Sequence, residues 1–565
     1  MQANRLAAGL AQAQRWTLRA GLFLLPLAYT WDTYDQFVLP KLLLARVLAA
    51  ALLMLLLVRL ALEGRLTLRR SPLDLPLAVW LASTVLSTVV AVNSNVAVFG
   101  TYSRYDGLLT AFTYAALFWL ASQTLSGPND ARTLLRVLLA SGYVVAGVAV
   151  GQSVRDTVGQ GALAQAFGPL GQANVLGTFL AMLLPLAVME LREARSWAGR
   201  IVVANVLVLL ALALLLTVSR SAWIAAGAGA TVLVVGEARR TARIRLLAAV
   251  GATIAVALLA LLVLQASPTW RHLDLRLGRT FSGQDWRDRL AVWHDAPALV
   301  AERPVAGFGP DSFGLIYGQV RTLEGPELID KAHSEVLQIA VTQGFIGVAA
   351  YLLLLVAFAS AFWKSPRSPG AVAVFASWVA YETALQPNFT ALGSALPFWV
   401  FAAAAMVCWG AGRTFDVPIP RAPAYTAAIG SVVLFLGVSV YGAMVPHAAD
   451  ASLRTAAEDD FRREPAAALN PAQTARSLEP RESVYVAEVG NIAFERGDWQ
   501  LAREAYEDAA ALGTYQPYLY RNLAYTYLDL GLREQAHRAA LAAYRLNPYD
   551  RLSQRLLVQF AVPGA

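Results

Sequence analysis

The chain has 565 residues, 57% of them hydrophobic and 15% charged, with a mean hydropathy of +0.49. Soluble globular chains carry about a quarter charged residues, so this composition excludes one and points to a polytopic membrane protein. The net charge of +8 does not indicate a nucleic-acid partner, because the arginines sit in short clusters between apolar runs, the pattern of cytoplasmic loops. Cys408 is the single cysteine, which excludes disulfides within the chain and argues against Cys/His zinc sites.

The N-terminal stretch MQANRLAAGLAQAQRWTLRA has no small-residue cleavage site after a short apolar core. Residues 1–19 are therefore expected as a cytoplasmic tail leading into the first span, not as a cleaved signal peptide. Apolar runs follow at 20–31, 42–61, 74–93, 108–125, 134–152, 172–190, 201–217, 221–236, 246–265, 334–359, 370–387, 394–411 and 424–446. They predict an all-α bundle of about 12–13 spans over residues 20–446, each ~17–25 residues long.

Alternate loops sort by charge. One set holds Arg5, Arg15 and Arg19; Arg65, Arg69 and Arg70; Arg192, Arg195 and Arg200; Arg239, Arg240, Arg243 and Arg245; Lys364 and Arg367; Arg413 and Arg421. The other short loops hold few, Lys41, Arg104 and Arg155 among them. The positive-inside rule makes the first set cytoplasmic, with the N-terminus inside and both the long 266–333 loop and the C-terminal region outside.

That loop is too long to be a simple connector. Residues 285–302 have helical spacing, with Leu290, Val292, Trp293, Leu299 and Val300 as an apolar face, and PVAGFGPDSFG over 304–314 is a Gly/Pro-rich turn. His333 then stands at the mouth of an apolar segment, with Ser334 as an N-cap and Glu335 in the first turn. After residue 446 the composition becomes soluble and Ala-rich, with a 34-residue repeat that aligns Ala456, Gly490 and Ala524; Ala468, Ala502 and Ala536; Ala472, Tyr506 and Ala540; and Ala475, Ala509 and Ala543. Period and small-residue pattern resemble tetratricopeptide repeats, which predicts a helical solenoid over 450–560.

The candidate chemistry gathers on the predicted outer face. Arg220, in LLLTVSRSAW, reads as an interfacial arginine reaching lipid headgroups or as an anion clamp that grips phosphate bidentately. Arg287 and Arg289 lie on the loop helix, where solvated arginines are common; Arg104 lies between Tyr102 and Tyr105 in a mixture suited to the interface or to a sugar phosphate; Asn174 is a cap or a polar contact. A helix N-terminus and a nearby arginine both keep the His333 ring neutral near pH 7 and able to accept a proton. Acidic residues with metal-ligand spacing do not appear on this face, and Asp311, Asp330 and Glu335 are too scattered to form a site. One base with permanent cations suits a diphosphate-bearing substrate delivered from the membrane, without metal or cofactor.

These stretches resemble a known family. AHSEVLQIAVTQGFIGVAAYLLLL resembles the His-Asn-x-x-Leu…Gly-x-x-Gly segment of the O-antigen ligase and O-antigen polymerase superfamily, which includes bacterial O-oligosaccharyltransferases. TVSRSAW, the run from Arg289 through Trp293 to PVAGFGPDSF, and FGTYSRYDGLL resemble three further segments of it. The resemblance covers roughly residues 20–412 and implies a GT-C-like helical fold in the bacterial cytoplasmic membrane. It implies inverting transfer of a glycan from an undecaprenyl-diphosphate carrier to a lipid, glycan or protein acceptor, with His333 as general base and Arg220 and Arg289 holding the diphosphate. Arg104 matches only the weaker N-terminal segment, and Ser334 stands where the family has Asn. A ligase is the leading expectation; polymerase and protein O-oligosaccharyltransferase share its chemistry, and the repeats would recruit a protein acceptor or assembly partner. A lipid-linked-oligosaccharide transporter would line several spans with basic residues, whereas most spans here carry none. A membrane-tethered scaffold would have no use for the His and Arg motifs.

Overall fold

The computed structural model describes residues 2–160, 164–236, 251, 284–325 and 327–560. The span expected at 246–265, Gly251 aside, lies outside the described residues, as do the arginines of 239–245 and the loop stretch 266–283.

Long apolar runs have become helices because a chain without water must satisfy its backbone internally. In order these are α1 (Gln2–Leu24), α2 (Val38–Glu63), α3 (Asp74–Val89), the short α4 (Ser94–Phe99), α5 (Leu108–Thr124), α6 (Pro128–Gln160), α7 (Ala173–Glu193), α8 (Trp197–Leu216), α9 (Arg220–Gly236), α10 (Gln284–Glu302), α11 (Glu335–Lys364), α12 (Pro369–Leu385), α13 (Leu392–Cys408) and α14 (Arg421–Ser439). Among the described residues, six stretches are long and apolar enough to cross a membrane, while α3, α9 and α13 are shorter apolar helices. Small residues let helices approach where lipid gives no hydrophobic drive between them. Ala181, Ala225, Ala380 and Ala384 form one such seam between α7, α9 and α12.

Two expectations change. The segment read as a tail is the body of α1, which ends where the first apolar run was placed, just before Pro26. Its polar residues have partners: Gln14 is fully buried and donates to Thr124 Oγ1 at 3.1 Å, and Arg19 pairs with Asp130 at 2.5 Å. Hydropathy alone misses a helix held by such contacts. The all-helical expectation also has one small exception. Strands β1 (Arg65–Arg70) and β2 (Arg413–Pro418) pair antiparallel, Arg65 opposite Pro418, and join two arginine-bearing loops.

α14 continues through a π turn into α15 (Val445–Phe461), a 41-residue rod only 11% buried in its most apolar window. Then come α16 (Pro465–Leu478), α17 (Ser483–Glu495), α18 (Trp499–Leu512), α19 (Pro517–Asp529), α20 (Arg533–Leu546) and α21 (Arg551–Gln559). Helix starts recur every 34 residues, at 465, 499 and 533 and again at 483, 517 and 551. The aligned small residues are all buried, since paired helices meet there: Ala468, Ala502 and Ala536 are 0% exposed, and a Cβ on Gly490 would stand 2.7 Å from the Tyr506 ring. The copy with the weakest sequence pattern folds like the others. These are tetratricopeptide-like helical hairpins.

The hairpins dock on one end of the bundle. Asp450 of α15, fully buried, accepts from Asp35 N at 2.8 Å, Tyr102 Oη at 2.6 Å and Tyr485 Oη at 2.9 Å. Asn93 and Asn95, at the start of α4, donate to the carbonyls of Ala511 and Leu512 at the end of α18.

Candidate functional site at the repeat-bearing end of the bundle

His333 is mounted by its neighbours, not by a cap. Ser334 occupies the N-cap position of α11, but its hydroxyl makes no capping bond; Gln338 Oε1 reaches back to accept from Ala332 N at 2.8 Å. Trp293 of α10 donates its Nε1–H to the carbonyls of both Ala332 and His333, each at 3.1 Å. The apolar face of α10 is as expected except at Leu290, which is 55% exposed; Ala296, 0% exposed, completes the face instead. Glu335 accepts from Thr390 N at 2.6 Å and Thr390 Oγ1 at 2.8 Å, which ties the start of α11 to the loop between α12 and α13.

α11 is broken at Gly344, where φ is 65° and ψ −167°. The Gly/Pro-rich turn fills the break: Phe308 N donates to Val341 O at 3.1 Å, Gly309 N to Thr342 O at 2.9 Å, and Phe345 N to Pro304 O at 2.7 Å. A Cβ at Gly344 would lie 2.3 Å from Val305 O, and one at Gly307 2.4 Å from Thr342 C, so this approach requires both glycines.

His333, Arg220, Arg289 and Asn174 line one cleft of about 430 Å³, with Ser219, Ser221, Trp286 and Asp288. Arg220 opens α9 after a sharp turn in which Val218 takes φ 51°. A β-branched residue there costs about 1–2 kcal/mol, the kind of strain that gathers at functional sites. Ser219 Oγ donates to Asn174 Oδ1 at 2.8 Å and pairs with Ser221 Oγ at 3.0 Å, while Asn388 Nδ2 donates to Ser221 Oγ at 2.8 Å. The Arg289 guanidinium donates to Pro387 O and lies over the Trp286 ring at 5.9 Å. Arg287, on the same helix, is exposed and does not line the cleft.

Arg104 stands behind the histidine, ion-paired to Asp330 at 2.5 Å and 5.4 Å from the centre of the Phe389 ring. Phe389 meets His333 edge to face at 5.6 Å. Sequence reading missed Lys331, which is fully buried and bound to Asp106 at 2.9 Å and Asp311 at 2.8 Å. Those bonds tie the 100–107 loop to the segment that carries His333. It also missed the 386–390 loop, whose Pro387, Asn388, Phe389 and Thr390 each contact a site element. The polar cluster QPNFT between two apolar runs was its only signal.

The ring is kept neutral. Burial pushes the His333 pKa from 6.5 down to about 4, and the Arg289 and Arg104 charges push the same way against Asp330. Nδ1 is buried with no hydrogen-bond partner among the described residues. The cleft thus holds an uncharged acceptor of protons beside guanidiniums that do not lose their charge.

Residues 205–352 match the O-antigen ligase family (Wzy_C). The matched stretch contains Arg220, Arg289, Trp293, the 304–314 turn and His333, and leaves Arg104 and Asn174 outside. The match supports a glycan-transfer function at a membrane. The crystal structure of the APC/C hetero-tetramer Cut9-Hcn1 aligns with 80% of this chain and 94% of its own at 14% identity, with a TM-score of 0.21, too low to indicate a common overall fold.

Proposed function

We propose that this protein transfers a glycan from an undecaprenyl-diphosphate carrier to an acceptor hydroxyl, as an O-antigen ligase, on the extracytoplasmic face of a bacterial cytoplasmic membrane. The observation that carries the reading is the shared cleft: a neutral imidazole, its Nδ1 without a hydrogen-bond partner among the described residues, beside two arginines on separate helices. His333 takes the proton of the acceptor hydroxyl as its oxygen attacks C1 of the first sugar. The C1–O bond to the carrier breaks, and its electron pair leaves with the diphosphate, which Arg220 and Arg289 stabilise. Such stabilisation is commonly the largest catalytic term. The diphosphate is a good leaving group, so the step needs no general acid, and displacement on one face inverts C1. Asn174, through Ser219, lines the wall beside Arg220 and is a further donor contact. Arg104, held by Asp330, acts behind the histidine.

The orientation rests on charge. The loops holding Arg70, Lys364 and Arg413 meet around one cleft, and β1–β2 joins two of them. They lie on the cytoplasmic side by the positive-inside rule, which leaves the His333 cleft and the repeats outside.

In membranes supplied with lipid-linked glycan and acceptor, His333→Ala is expected to slow transfer by about 10²–10⁴-fold, the usual worth of a general base. Arg220→Lys is expected to lose at least about tenfold, because an ammonium lacks the bidentate fork. Turnover at the wild-type rate by well-inserted His333→Ala protein would refute the assignment.

A further inference from the structure

The β1–β2 ribbon sets two like charges against each other. Its register puts Arg70 directly opposite Arg413, an arrangement that destabilises a pair of strands. Strand alternation keeps Phe415 on the same face as both and sends Asp416 to the other, where it accepts from Thr67 Oγ1 at 2.6 Å. The Arg70 guanidinium lies 5.6 Å from the centre of the Phe415 ring. With the last turn of α11, this face walls a cleft of about 470 Å³ that also holds Ala361, Lys364 and Trp409.

The charge lining this cleft has one sign. Arg70, Lys364 and Arg413 come from three separate segments, and no carboxylate lines the cleft among the described residues. Neighbouring arginines find partners. Arg132, whose guanidinium is 3.4 Å from where a Cβ on Gly370 would stand, pairs with Glu193 at 3.0 Å. Arg136 pairs with Glu190 at 3.0 Å, and Arg69 donates to Leu125 O at 3.0 Å. Among the described residues no carboxylate reaches salt-bridge distance of Arg70, Lys364 or Arg413. Asp74 attracts Arg70 from the start of α3, which offsets one charge of the three. The surroundings mark the depth. Trp363, 59% exposed, has the Arg367 guanidinium 5.9 Å from its ring centre, an aromatic and basic pairing typical of the headgroup level. Leu353 and Val356, 41% and 61% exposed, lie on the same side of α11 as Lys364, about three and two turns back.

We propose that this cleft binds the headgroup phosphate of one anionic phospholipid, against Arg70, Lys364 and Arg413, with its acyl chains along Leu353 and Val356 of α11. Basic pockets at the ends of membrane helices are suited to such headgroups. A zwitterionic headgroup would place its ammonium among the same three cations, so the cleft selects a lipid without one. The phosphate screens the facing arginines and ties the ribbon to the end of α11. Lys364 is the last residue of that helix, whereas His333 stands just before its first, and the two clefts share no lining residue. The lipid site is therefore separate from the transfer chemistry.

The test is native mass spectrometry of the delipidated full chain in detergent, titrated with phosphatidylglycerol, phosphatidylethanolamine or glycerol 3-phosphate. Phosphatidylglycerol is expected to give a one-to-one adduct that outlasts the phosphatidylethanolamine adduct and resists equimolar glycerol 3-phosphate. Lys364→Gln and Arg413→Gln are each expected to weaken it about tenfold, the scale of one charge-assisted contact to phosphate. Arg195→Gln, which removes an exposed arginine between α7 and α8 outside the cleft, should leave it unchanged. Without lipid, Arg413→Gln should melt no lower than the parent, because it relieves the facing pair, and phosphatidylglycerol should raise the parent's midpoint more than the variant's. Equal retention of the two phospholipids, displacement by equimolar glycerol 3-phosphate, or equal weakening by Arg195→Gln and Lys364→Gln would overturn the proposal. If Arg413→Gln inserts poorly, Lys364→Gln decides alone.

Discussion

At the scale of single residues, the cleft holds one ring uncharged among charges. Burial contributes most to the lowered His333 pKa and Arg289 comes next, so the two can be separated. The acid limb of transfer, measured as kcat/KM against pH, is expected near pH 4 instead of near the 6.5 of a free histidine. The sign follows from the neutral form being active: activity is present above the folded pKa and lost as the ring protonates below it. Arg289→Ala removes a cation that disfavours imidazolium, so the limb should move to higher pH even as the rate falls. A limb at the same pH in both proteins would separate Arg289 from the ring. The backbone of this residue is as constrained as its side chain. His333 has φ 49°, and Ser103, Tyr105, Val218 and Asp311 also take positive φ in loops at this end of the bundle. Trp293 supports the histidine's own carbonyl, contributing about 1 kcal/mol.

At the scale of elements, the decisive feature is the break in α11. The helix carrying His333 cannot run straight, because the turn from Pro304 to Gly309 occupies the gap at Gly344, donating to the carbonyls of Val341 and Thr342 before it and accepting from the N–H groups of Phe345 and Ile346 after it. Ser87 of α3 donates to Thr342 O at 2.6 Å, and Ser83 and Thr84 donate to Gln343 Oε1 at 3.3 Å, so the broken end is satisfied inside the bundle as membrane burial requires. Gly344→Ala is expected to cost about 2–4 kcal/mol, since its Cβ would meet Val305 backbone and φ 65° disfavours any side chain. Thermal unfolding in detergent would show the loss. Gly430→Ala, with no atom of the described residues within 4 Å of the added methyl, should unfold like the parent. Equal midpoints for the two variants would mean that the break is not required.

At the scale of the whole molecule, the repeats are part of the site's surroundings. Tyr515, between α18 and α19, packs its ring 3.0 Å from where a Cβ on Gly314 would stand, and it interacts electrostatically with Asp330 and Arg104. Asp450 fastens α15 to the 28–37 loop and to Tyr102. Asp450→Ala strands three buried donors and is expected to destabilise the docked arrangement by about 3 kcal/mol or more. Limited proteolysis should then cut near residues 440–465 faster than in the parent, and unchanged cleavage would show that the repeats dock without it. The same docking supports the reading that the repeats present an acceptor or partner to the cleft. Deleting residues 450–565 with transfer and acceptor choice intact would remove it.

Much of this was legible from the chain alone. Apolar length determined the bundle, because a membrane helix must satisfy its backbone within itself and needs enough apolar residues to span. The 34-residue period determined the repeats, because stacked hairpins need small residues at fixed intervals, and the residue types at 220, 289 and 333 determined what chemistry was available. Tertiary structure alone decided that Arg220, Arg289, His333 and Asn174 face one cleft while Arg287 does not, that the first helix begins within the presumed tail, and that Lys331 and the 386–390 loop brace the site. Those outcomes depend on contacts between residues far apart in the chain, whose partners no local pattern encodes: a buried lysine is recognised by the two aspartates it meets, and a glycine in a helix by the loop that fills its gap.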